Sequence, residues 1–111
     1  MLHVTGLVGV SSHDTIERNK AKNGWYFTFF VVSQEPGGKT HKYRASMWVP
    51  DNKEREWRNK ITRGSVFYID HAFWRMFQSD KSQHPLPTLE LKINGFHKMT
   101  NPYWHERQTD G

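Results

Sequence analysis

The chain has 111 residues, enough for one closed core and too few for two. Apolar residues make up only 35%, but aromatic residues reach 14% and supply the missing bulk, since each ring buries roughly 150–250 Å². Lys and Arg number 16 against 11 Asp and Glu, a formal charge of +5 that favours an acidic partner, and the lack of cysteine excludes a disulfide framework or a thiolate metal site.

Met1 to Val10 alternates loosely, with Leu2, Val4, Val8 and Val10 on one face, and Gly6 and Gly9 permit the bend of a first strand shared between two sheets. It opens as strand rather than as a charged leader with an apolar core, and no run of 18 apolar residues follows, so a soluble cytoplasmic protein with no membrane partner is expected. Ser11 to Asn23 is polar and ends in the turn signal Asn23-Gly24. It reads as a loop whose Lys20 and Lys22 are candidates for phosphate contacts.

Gly24 to Ser33 is the densest run of β-branched and aromatic residues and predicts a central strand. Alternation puts Trp25, Phe27, Phe29 and Val31 on one face and Tyr26, Thr28, Phe30 and Val32 on the other. One row fills the core. The other then needs a flat apolar partner, either a subunit or the bases of a nucleic acid.

Gln34 to Lys39 is a turn with Pro36 and two glycines. Thr40 to Val49 forms a third strand, with Tyr43, Ala45, Met47 and Val49 on one face and Lys42, Arg44, Ser46 and Trp48 on the other. Asp51 as cap and Glu54 three residues on compose a capping box for a helix that runs to Ile61 and stops at Gly64. Trp57 and Ile61, one turn apart, dock it on the core. Ser65 opens a fourth strand, with Phe67, Ile69, His71 and Phe73 facing one way and Tyr68, Asp70, Ala72 and Trp74 the other. Arg75 to Pro87 reads as a polar loop. Thr88 to Asn94 is a fifth strand, with Leu89, Leu91 and Ile93 inward and Glu90, Lys92 and Asn94 outward, extended by Phe96 and Met99.

Three strands, a helix and two strands predict an all-β domain over residues 1–99, a five-stranded OB-fold barrel with one helix between strands 3 and 4, followed by a short tail over 100–111. Closing the sheet removes its exposed edges.

On the predicted outward faces Tyr26, Phe30, Lys42, Arg44, Trp48, Trp74 and Arg75 interleave aromatic rings with cations. Single strands are bound in this way, by a cationic groove for phosphates and by aromatic faces worth roughly 1–3 kcal/mol per stacked base. Packing of the same rings in a subunit interface is the competing explanation. The seven histidines lack ligand spacing, and no phosphate loop or nucleophile elbow occurs, so no metal, cofactor or catalytic activity is expected.

Val4-Thr5-Gly6-Leu7-Val8-Gly9, Gly24 leading into the second strand, Tyr43-Arg44-Ala45-Ser46-Met47-Trp48 before the helix, and Arg63-Gly64-Ser65-Val66-Phe67-Tyr68-Ile69-Asp70 after it resemble, in order and spacing, the bacterial and phage single-stranded DNA-binding proteins, the SSB family. The resemblance implies OB-folds that associate as dimers or tetramers and wrap single-stranded DNA near the nucleoid. It implies that Trp48 stacks a base, that Arg44 is basic on the same strand, and that Thr28 and Phe30 face DNA. The family's early stacking aromatic of strand three falls near Lys42, and that of the strand-four arm near Gln78, where Trp74 and Phe77 substitute.

The family's Gly-rich linker and acidic tip have no counterpart in a tail whose acids are Glu106 and Asp110, so recruitment of partners through such a tip is not expected. The expected function is sequence-tolerant coating of single-stranded DNA in replication, recombination or repair, in a phage, plasmid or mobile-element version. The alternative is a primosome-type or plasmid replication accessory dimer acting mainly through replication or recombination proteins.

Overall fold

A computed structural model describes residues 3–34, 37–77 and 88–99. Six strands and one short helix follow one another: β1 (Gly6–Val10), β2 (Glu17–Lys20), β3 (Gly24–Gln34), β4 (Thr40–Pro50), α1 (Glu54–Lys60), β5 (Val66–Phe77) and β6 (Thr88–Lys98). They form a mixed sheet in the order β1-β5-β6-β4-β3-β2, in which β1 also pairs with β3. The pairings therefore return to their starting strand. All are antiparallel except β4 with β6, which run parallel through Arg44–Glu90, Ala45–Leu91 and Ser46–Lys92.

Period-two alternation fills the core from the inner faces of these strands. Phe27, Phe29 and Val31 of β3 are buried with Ala45, Met47 and Val49 of β4, as the sequence predicts. Phe96 of β6 stacks on Phe67 of β5 with ring centroids 3.9 Å apart and lies 5.8 Å from Phe29. Helix α1 adds Trp57, which packs partly buried against the cluster, and Ile61, just past the end of the helix, is buried in it. Gly64, at φ +85°, makes the turn into β5 in a conformation that favours glycine, and its N–H donates to the Val10 carbonyl.

Several expectations are corrected. The predicted loop Ser11–Asn23 contains a sixth strand, β2, whose four residues are all exposed. It carries no apolar alternation because only its backbone is used, in a ladder from Glu17–Thr28 to Lys20–Trp25. The capping box does not form. A turn of 3-10 helix at Asp51–Lys53 precedes α1, neither start has a side-chain cap, and Asp51 instead meets Lys20 Nζ at 2.6 Å.

Strand β5 continues through Arg75–Phe77, past its predicted end, and its register shifts between Ile69 and Ala72. The extra residue of a bulge exchanges the two faces. Ala72 is buried and Trp74 packs on the core, while His71 is exposed. In β6, Leu91 and Ile93 face the core as predicted, but Leu89 is 56% exposed, and Glu90, on the predicted outer face, is only 1% exposed because side chains of both neighbouring strands cover it. At the other end β1 begins at Gly6, and only an isolated bridge, His3 to Phe73, precedes it. The tail 100–111 and most of the predicted loop before β6 lie outside the described residues. Among the described residues, no helix is long and apolar enough to cross a membrane.

Candidate nucleic-acid interface

The outer sides of β3, β4, β6 and β5 form one continuous surface, because directly opposed residues share a face. The ladders place Tyr26 opposite Trp48, Thr28 opposite Ser46 and Phe30 opposite Arg44. Ser46 and Arg44 in turn oppose Lys92 and Glu90, which oppose Phe73 and Arg75. Tyr26 and Trp48 are each 43% exposed. Trp48 keeps its position because Gly24 has no side chain: a Cβ there would meet the indole and the Val49 carbonyl oxygen.

Cations border the rings. Lys92 Nζ is 5.0 Å from the Tyr26 ring centroid, and Lys42 Nζ is 5.2 Å from that of Phe30. Lys42 also reaches Asp14 Oδ2 at 3.1 Å. The Asp14 carboxyl lies below its ordinary value because Ser11 donates to it first and Lys42 second. Four cations, Lys42, Arg44, Arg75 and Lys92, stand around the exposed rings with the Glu90 carboxylate among them, while Asp70, exposed further along β5, pairs with His97 at 2.7 Å.

Glu90 joins three strands. Its Oε1 accepts from Ser46 Oγ at 2.7 Å and from Arg75 Nη2 at 2.5 Å, and its Oε2 accepts from Arg44 Nε at 2.9 Å. Burial alone would raise its carboxyl, but the bonds from Ser46, Arg75 and Arg44 outweigh burial and hold it below the ordinary glutamate value. Lys92 is pushed below the ordinary lysine value, by burial first and by the positive charge of Arg75 second.

Of the predicted site residues, Tyr26, Thr28, Phe30, Lys42, Arg44, Trp48 and Arg75 come together on this surface. Trp74 does not. It turns inward and meets Tyr43 edge to face, with centroids 5.3 Å apart. Lys20 opposes Trp25 rather than Tyr26, lies 5.7 Å from the Trp25 ring and pairs with Asp51, so it belongs to the other side of the sheet. Lys22 is exposed in the turn between β2 and β3. The Phe77 side chain lies outside the described residues.

Sequence reasoning missed Lys92, Glu90, Ser46 and Phe73. Alternation had set Lys92 and Glu90 outward, but their place beside β4 depends on the parallel β4–β6 pairing. Phe73 required the bulge. Among the described residues, no group of three or more histidines and carboxylates is placed to hold a metal ion. Comparison with protein-family models, with curated proteins and with solved structures finds no match for the chain.

Proposed function

We propose that the protein is an OB-fold that binds single-stranded DNA without sequence preference, coating and protecting it in replication, recombination or repair in the setting of a phage, plasmid or mobile element. One observation carries the reading: the exposed Tyr26–Trp48 pair shares a surface with Lys42, Arg44, Arg75 and Lys92. Flat rings accept bases of any identity, and cations neutralise phosphates without reading sequence. The OB-fold is supported by the ring of pairings β1-β3-β4-β6-β5, by the parallel β4–β6 step and by the single helix between β4 and β5.

An accessory module acting through protein partners is the second reading. It is favoured by Leu7, 60% exposed, which opposes exposed Tyr68 elsewhere on the outer surface, with Val66 and Met99 exposed nearby. Such a row suits either a second copy of the chain or another protein.

A tryptophan-fluorescence titration with oligo-dT and with a matched duplex, at low and high salt, separates the two. Coating predicts strong quenching by oligo-dT alone, with the logarithm of affinity falling by roughly 0.7 per neutralised phosphate for each decade of salt. Weak quenching, or equal binding of the duplex, would overturn it and leave the accessory reading.

A further inference from the structure

Arg44, Glu90 and Arg75 stand directly opposite one another on three adjacent strands, so the Glu90 carboxylate lies between two guanidinium groups and bonds to both. We infer that Glu90 is a positioning residue for strand binding: pinned by Ser46, it holds Arg44 and Arg75 at a fixed separation and so sets where phosphates sit relative to Trp48 and Tyr26. The inference rests on the proposed binding of single strands.

Stability alone gives little reason for such a carboxylate. A buried ion cluster is often no more stable than apolar packing of the same volume, because desolvation offsets its attraction. A negative charge also lowers the field of a surface that attracts phosphates. What Glu90 does contribute is order. Without it, two long like-charged side chains on flanking strands repel and sample many rotamers, and ordering them falls to the moment of binding.

With Glu90 present, Arg75 is held at Nη2 while its side chain remains 46% exposed, so the planar guanidinium is fixed at one nitrogen with further N–H donors left to face a phosphate. Ser46 completes the device. Its hydroxyl is buried and donates to the same Oε1 that accepts from Arg75, which fixes the carboxylate from beneath.

The test measures oligo-dT affinity across a salt series for the wild-type chain, Glu90→Gln and Ser46→Ala, each checked for folding by thermal unfolding. Glu90→Gln removes one negative charge and raises the formal charge of +5 by one, so electrostatics alone would tighten binding. Positioning gives the opposite result, an affinity roughly tenfold weaker with a shallower salt dependence, as fewer phosphate contacts form. Ser46→Ala alters no charge and should weaken binding roughly threefold.

Equal or tighter binding by Glu90→Gln, with an undiminished salt slope, would overturn positioning and leave Glu90 as a charge neutraliser. Should that variant fail to fold, Ser46→Ala decides: unchanged affinity sinks the inference. If the wild-type chain binds no oligo-dT, strand binding fails and positioning falls with it.

Discussion

Single residues set the local chemistry of the outer surface. Gly24 keeps the Trp48 indole against the sheet by lacking a Cβ, and Ser46 turns an outward strand position into a buried hydroxyl that serves Glu90. Because the folded pKa of Glu90 is depressed, the ionised carboxylate stabilises the fold fully above the ordinary glutamate value of 4.5 and progressively less as pH falls through the lower folded value. Wild-type protein should therefore lose thermal stability more steeply than Glu90→Gln as pH drops below 4.5. Melting curves at a series of acid pH values would check this. Parallel loss in the two proteins would show that other carboxylates govern acid unfolding.

Elements divide the two tryptophans that sequence alone had grouped together. The bulge in β5 carries Trp74 inward against Tyr43, whereas Trp48, on the unbroken ladder of β4 with β3, stays on the outer surface. Trp74→Ala should thus lower stability by roughly 2–3 kcal/mol, somewhat less than a fully buried ring, and leave oligo-dT affinity nearly unchanged. Trp48→Ala should do the reverse, with stability close to wild type and roughly 1–3 kcal/mol of binding lost. Chemical denaturation and fluorescence titration of both variants would expose an exchange of these roles.

Much of this was legible in the sequence, because β3 and β4 alternate without a break and each side chain's face follows from its position. The faces of β5 were not legible beyond Ile69, since one inserted residue reverses them and has no apolar signature. Nor was β2. Glu17-Arg18-Asn19-Lys20 pairs through its backbone, and its charges discourage another chain from pairing with its free edge. The burial of Glu90 on its outer face depends on partners 46 and 15 residues away, Arg44 and Arg75, beyond the reach of any local pattern.

At the scale of the whole molecule, one core cluster draws on β1, β3, β4, β5 and β6, so no part of the ring holds an independent interior. Unfolding should be a single cooperative event. Tryptophan fluorescence and far-ultraviolet circular dichroism would then give coincident denaturation curves, and separated midpoints would refute it. The sheet order also bears on how the polypeptide is made. Strand β6, the last described strand to leave the ribosome, is inserted between β4 and β5. Until it emerges, a nascent chain presents two bare backbone edges flanked by aromatic side chains, which makes the interval before Lys98 is released the period of greatest exposure to chaperones and to unwanted association with its neighbours.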